Sequence, residues 1–118
     1  MRWRPRRFLI MRALLTKPEL MILDEPSVYL DMPGREFLLG EIGKMAAEMP
    51  ELTIIFITQR IEDILGVFDE GMILKSGRIM CHGRRDQVLT EGNLSSIFDL
   101  PIRLIRNPSG RYWAILEQ

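Results

Sequence analysis

A short apolar run that ends in two adjacent carboxylates constrains this chain most. Residues 20–23 (LMIL) lead directly into Asp24 and Glu25, and a third carboxylate follows at Asp31. Because the run does not alternate, it predicts a strand covered on both faces, as in a parallel sheet. Ligands bind beyond the carboxyl ends of such strands, where one acid can hold Mg²⁺ and its neighbour can activate water. An ordinary acidic turn after a strand would give the same short motif.

The length and charge of the chain indicate one domain with no general attraction to nucleic acid or membrane. The 118 residues are enough for a single domain, and 16 basic residues balance 16 acidic ones. A single cysteine, Cys81, excludes a disulfide within the chain. No apolar run approaches the roughly 20 residues that span a bilayer. The apolar run after Arg6 and Arg7 stops at Arg12 and is too short for a signal peptide, so we expect a cytoplasmic protein.

The order of the predicted elements indicates an α/β fold. Apolar periodicity, prolines and turn residues predict a β-α-β unit first and two hairpins later, with short helices between. The predicted helices are 6–16, 31–49, 60–65, 85–89 and 93–100, and the predicted strands are 19–23, 52–58, 70–75, 78–82, 102–105 and 112–116. We therefore expect a parallel sheet with flanking helices and a small tail of helices and a C-terminal hairpin.

The residues after the two acids extend the motif into a more specific pattern. Residues 24–31 read D-E-P-S-x-x-L-D, which resembles the Walker B motif and D-loop of the ABC-transporter ATPases. Four further segments resemble, in order, the helix after the signature motif, the strand to the H-loop, the closing strands and the helical tail: residues 7–18, 53–60, 72–83 and 86–101. Because several ordered motifs agree, the chain resembles the C-terminal portion of an ABC ATP-binding subunit, a partial P-loop NTPase domain.

The resemblance implies a role for each polar residue of the site. Asp24 would hold Mg²⁺ through water, and Glu25 would be the catalytic base. Asp31 would be the D-loop aspartate, which meets the second subunit across the bound nucleotide. Gln59 stands at the position of the H-loop histidine, which contacts the γ-phosphate. A glutamine amide can donate a hydrogen bond there, but it cannot carry a proton or a charge.

Three motifs of the family are absent from this sequence. The chain contains no G-x-x-x-x-G-K-S/T phosphate loop (Walker A), no Q-loop and no LSGGQ-type signature, and residues 1–5 stand where the signature is expected. The intact family binds ATP and Mg²⁺ and couples hydrolysis to transport, with membrane-spanning subunits and a second ATPase subunit at the inner face of the membrane. We expect that this chain alone does not bind ATP or Mg²⁺ tightly and does not hydrolyse ATP. Strands left without neighbours are expected to promote self-association.

Two other functions remain open at this point. The chain could be a non-enzymatic interaction or regulatory fragment, or a gene remnant, that docks on a complete ABC ATPase through Asp31 and its neighbours. It could also belong to a non-transport ABC ATPase that acts on nucleic acid, although the neutral net charge argues against that.

Overall fold

Three two-stranded sheets carry the fold of residues 10–117, which are the residues described by the computed structural model. Contacts divide the chain into two units, Met1–Asp63 and Ile64–Gln118, and the prediction of one domain stays a prediction. Residues 10–14 are helical, whereas the start of that predicted helix, residues 6–9, lies outside the described residues. Within the described part, no helix has the length and apolar composition that a membrane span requires.

The first unit contains the predicted β-α-β arrangement. Strand β1 (Leu20–Asp24) is followed by helix α1 (Met32–Glu48) and strand β2 (Thr53–Ile57). The two strands pair in parallel, from Leu20 opposite Thr53 to Asp24 opposite Ile57. This pairing confirms the predicted parallel arrangement, with boundaries shifted by about one residue.

One face of the β1–β2 sheet is buried and the other is open. Met21 and Leu23 of β1 are buried together with a stripe of α1 that contains Leu38, Leu39 and Ile42. The opposite face keeps 49% exposure at Leu20, 58% at Ile22, 45% at Ile55 and 45% at Ile57. The prediction that β1 is covered on both faces is therefore wrong for residues 10–117, because these residues bury only one face.

The segment after β2 forms less helix than the sequence predicts. The predicted helix at residues 60–65 is a single 3₁₀ turn, Ile61–Asp63. The Thr58 hydroxyl accepts a hydrogen bond from the Arg60 N–H at 2.9 Å. A local bond of this kind holds Arg60 outside the helical pattern, so the element begins at Ile61 and not at residue 60.

The second unit consists of two hairpins and two short helices, as predicted. Its elements are β3 (Glu70–Lys75), β4 (Arg78–Arg84), α2 (Arg85–Val88), α3 (Glu91–Phe98), β5 (Ile102–Arg106) and β6 (Tyr112–Leu116). Both hairpins are antiparallel. The turn between β3 and β4 has positive φ at Ser76 (53°) and Gly77 (76°), which is the signature of a type I′ hairpin.

A polar cluster joins α2 to the terminal hairpin in this unit. The buried Arg85 guanidinium donates to the Gly110 carbonyl at 2.5 Å and lies 3.2 Å from an Asp86 carboxylate oxygen. The Tyr112 hydroxyl donates to the same Asp86 carboxylate at 3.0 Å. Burial first, and then the hydrogen bond and negative charge of Asp86, raise the pKa of Tyr112 above its ordinary value of about 10.

The raised pKa of Tyr112 predicts a loss of stability in alkali. Because the fold favours the neutral phenol, its contribution is fully present below about pH 10 and is lost as the pH rises through the raised pKa. We expect Tyr112→Phe to cost about 1 kcal/mol at pH 8 and to lose less stability than the parent between pH 10 and 11. Urea denaturation followed by circular dichroism across this pH range measures both effects. Parallel pH profiles for the two proteins would contradict the prediction.

Candidate functional site

The carboxyl ends of β1 and β2 meet at one edge of their sheet, and this edge is the candidate site. Asp24, the last residue of β1, is paired in register with Ile57, the last residue of β2. Gln59 follows two residues later, and both Asp24 and Gln59 are exposed. Parallel pairing therefore brings the acidic motif and the Gln59 segment to the same edge.

Glu25 begins the loop after β1 in a strained backbone conformation. Its φ is 47°, in the left-handed region that residues with a Cβ rarely adopt. Its N–H donates to the Ile57 carbonyl at 2.7 Å, which extends the β1–β2 ladder by one bond. Strain of this kind costs roughly 1–3 kcal/mol and collects at functional sites. The chain therefore leaves the strand direction at Glu25, and the two acids differ in backbone conformation.

Asp31 ends this loop by capping α1. Its carboxylate accepts a hydrogen bond from the Gly34 N–H at 2.8 Å, and Pro33 lies in the first turn of the helix. An aspartate at this position satisfies an amide that has no partner within the helix. The cap therefore fixes the position of Asp31 relative to α1, while the residue itself stays exposed.

The capping role of Asp31 gives a prediction about stability. Asp31→Ala is expected to lower the free energy of unfolding by about 1 kcal/mol, because the Gly34 amide loses its acceptor. Asp31→Asn is the matched control, since asparagine caps about as well. Urea denaturation of the three proteins measures the difference. Equal losses for alanine and asparagine would show that charge, rather than the cap, stabilises the helix.

The acids at this edge suit a magnesium ion that is also bound by water and substrate better than an ion bound by protein side chains alone. Residues 10–117 contain no group of three or more histidine, cysteine, aspartate or glutamate side chains that could hold a metal. Mg²⁺ keeps several waters and binds one or two carboxylates together with substrate phosphates. The exposed carboxylate of Asp24 therefore suits an ion whose remaining ligands are water and a nucleotide.

A cluster of three further side chains had no role predicted from the sequence, although one of them, Ser27, is the serine of the D-E-P-S motif. The Ser27 hydroxyl donates to Asp63 Oδ2 at 2.5 Å, and both residues are buried. Arg35 Nε lies 3.6 Å from Asp63 Oδ1. The motif does not predict the contact itself, because Ser27 and Asp63 lie 36 positions apart.

Comparisons with known proteins agree with the family resemblance that the sequence motifs indicate. No protein-family model matches the chain. It is 43% identical over 101 residues to the uncharacterized ABC transporter ATP-binding protein YlmA of Bacillus subtilis, which covers 86% of this chain and 38% of the relative. It is 35% identical over 82 residues to the molybdenum import ATP-binding protein ModC of Salmonella choleraesuis, covering 70% of this chain and 23% of the relative. The chain thus spans less than half the length of these relatives.

Solved structures share the fold. An ABC transporter in an inward-facing conformation matches 98% of this chain and 47% of its own, with a TM-score of 0.81 at 21% identity. The ADP conformation of MJ1267, an ATP-binding cassette of an ABC transporter, matches 84% of this chain and 40% of its own, with a TM-score of 0.69 at 21% identity. These matches confirm an α/β fold of the P-loop NTPase class, present here in part.

Proposed function

Since this chain belongs to the ABC ATPases, as the portion that runs from just after the signature motif to the tail, we propose that it supplies the water-activating half of an ATP-hydrolysing transporter subunit. In this proposal Asp24, Glu25 and Gln59 face the nucleotide, and Asp31 faces a second ATPase subunit. The phosphate-binding half comes from sequence that these 118 residues do not contain.

The observation that carries the proposal is the parallel pairing of β1 with β2. Asp24 is in register with Ile57, so the acidic motif and the Gln59 segment end at one sheet edge. Glu25 is held there by its bond to the Ile57 carbonyl. Two carboxylates with different backbone conformations can take different roles, one toward a metal and one toward water.

In the proposed reaction, bound Mg²⁺ would neutralise charge on the ATP phosphates. Asp24 would hold that ion through water. Glu25, which is half-buried at the edge, would accept a proton from the attacking water. Gln59 would donate an amide hydrogen bond to the terminal phosphate without taking part in proton transfer.

The open face of the β1–β2 sheet indicates that another segment covers it in the complete protein. Leu20, Ile22, Ile55 and Ile57 form one contiguous apolar surface on a two-stranded parallel sheet, which is marginal on its own. Parallel sheets are covered on both faces in stable domains. We propose that the phosphate-binding half covers this face, and that the chain self-associates through it or through the free strand edges when that half is absent.

The wider assembly is also part of the proposal. By analogy with the family, the complete ATPase would act with membrane-spanning subunits and a second ATPase subunit, on the cytoplasmic side of the membrane. The relative in Salmonella choleraesuis is an import ATP-binding protein, which supports a transport role without naming the substrate of this chain.

An exchange experiment tests the proposed function. The 101 matched residues of the Bacillus subtilis relative are replaced by the corresponding residues of this chain, and ATP hydrolysis by this chimera is compared with that by the chain alone. We expect turnover from the chimera and none from the chain. A second chimera that carries Gln59→His shows whether the glutamine at this position limits the rate of ATP hydrolysis. A folded pair of chimeras without ATP turnover would overturn the proposal.

The same open face also favours a non-enzymatic function. A chain that exposes an apolar sheet surface can dock on a complete ABC ATPase and regulate it. Pull-down of the intact Bacillus subtilis relative discriminates between the regulatory and the enzymatic function. Binding of the relative by the parent chain but not by the Ile22→Lys variant favours docking. If neither the parent chain nor the variant binds the relative, the enzymatic function is favoured. The chimera experiment gives the complementary answer.

A further inference from the structure

The segment that follows Gln59 contains one fully buried carboxylate, Asp63. Asp63 has no exposed surface, and it ends the 3₁₀ turn that follows Gln59. Its Oδ2 accepts the Ser27 hydroxyl at 2.5 Å, while its Oδ1 has no hydrogen-bond partner within residues 10–117. A buried charge is costly unless it is paired. The groups that contact Asp63 are therefore expected to be held in place with it.

The pairing partner of Asp63 is Arg35 on α1. Arg35 Nε lies 3.6 Å from the free oxygen Oδ1, and its side chain is only 13% exposed. The contact is an ion pair without a hydrogen bond, since Arg35 Nε also lacks a hydrogen-bond partner among the described residues. Arg35 Nε also lies 3.8 Å from a Glu36 carboxylate oxygen, so the buried Asp63 depends on Arg35 more than Arg35 depends on Asp63.

Through Ser27 and Arg35, Asp63 connects the loop after β1 to the segment after β2. Ser27 belongs to the loop at residues 25–31, which begins with Glu25 and ends with Asp31. Arg35 lies one helical turn after Asp31, and its N–H donates to the Asp31 carbonyl at 2.8 Å. Asp63 itself belongs to the segment that carries Gln59. One carboxylate therefore links the loop with the acids to the segment with the amide.

We propose that Asp63 is a positioning residue that fixes the loop at residues 25–31 against the segment that carries Gln59. It acts through Ser27 and Arg35 and does not touch the reacting atoms. Its catalytic meaning rests on the proposed function, because the loop carries Glu25. The positioning itself is a property of this chain and needs no nucleotide.

Hydrogen exchange on the full chain without nucleotide tests the proposal. Two loop amides report on the loop: Val28 N–H donates to the Glu25 carbonyl and Leu30 N–H donates to the Ser27 carbonyl, both at 3.2 Å. We expect Asp63→Asn to speed exchange of these amides by about tenfold or more. Exchange of Thr53, which donates to the Glu19 carbonyl at 2.9 Å, should stay within about twofold. Asp69→Asn, at an exposed aspartate, is the matched control and should change neither.

Two serine variants keep the test valid if Asp63→Asn does not fold. Ser27→Ala removes only the hydroxyl and should speed exchange of the loop amides, whereas Ser27→Thr keeps the hydroxyl and should restore protection. An equal rise at Thr53 and at the loop would show general destabilisation and would overturn the proposal, as would unchanged loop exchange. Because no nucleotide is present, either result is independent of whether the chimera hydrolyses ATP.

Discussion

Glu25→Gln in the chimera with the Bacillus subtilis relative is expected to lower ATP turnover by about 10²–10⁴-fold, the usual contribution of a general base. Glutamine has nearly the same size and can still hydrogen-bond to water, but it cannot accept the proton of the attacking water. The affinity for Mg-ATP should change little, because Glu25 acts on water and not on the phosphates. Single-turnover hydrolysis and nucleotide titration of the same preparations measure the two quantities.

The matched control for this prediction is Glu51→Gln. Glu51 is exposed and precedes β2, so it lies at the opposite end of that strand from Gln59. The same chemical change there should leave turnover within about twofold of the parent, because surface substitutions away from special features have small effects. Equal turnover for the Glu25 variant and the parent would show that another group activates the water.

Leu38→Ala is expected to lower the free energy of unfolding of the chain by about 2–5 kcal/mol. Leu38 is completely buried in α1, beside Leu39 and Ile42 in the core of the first unit. Truncation removes apolar contacts and leaves a cavity, and α1 is the helix that Asp31 caps. Urea denaturation followed by circular dichroism measures the loss, which would be a large fraction of the stability of a small domain.

The control for the core prediction is Leu15→Ala, because Leu15 is 82% exposed. We expect a change of no more than about 0.5 kcal/mol there. A similar loss at both positions would mean that α1 does not form the core of this unit in solution.

Local patterns in the sequence were sufficient to predict most of the fold and the outline of the site. The apolar periodicity of residues 31–49, with Pro33 near the start, predicted α1, which spans Met32–Glu48. The pair Ser76-Gly77 gave the β3–β4 hairpin, because a type I′ turn needs two residues at positive φ. These features depend on neighbours along the chain, which a sequence displays directly.

Features that depend on distant residues could not be predicted. The exposure of Ile22 and Ile55 is one, since an apolar run indicates burial but does not say whether the covering segment is present. The burial of Asp63 is another, because it depends on Ser27, 36 positions away, and on Arg35. The roles of Asp24, Glu25, Asp31 and Gln59 in catalysis stay predictions until they are measured.

Titration of Mg-ATP into the chain alone and into the chimera tests most directly whether this chain holds only half of a nucleotide site. In P-loop enzymes the phosphates are held mainly by a loop that this sequence lacks. We predict no heat of binding from the chain alone at nucleotide concentrations up to about 1 mM, and saturable binding by the chimera. Micromolar binding of Mg-ATP by the chain alone would contradict the account.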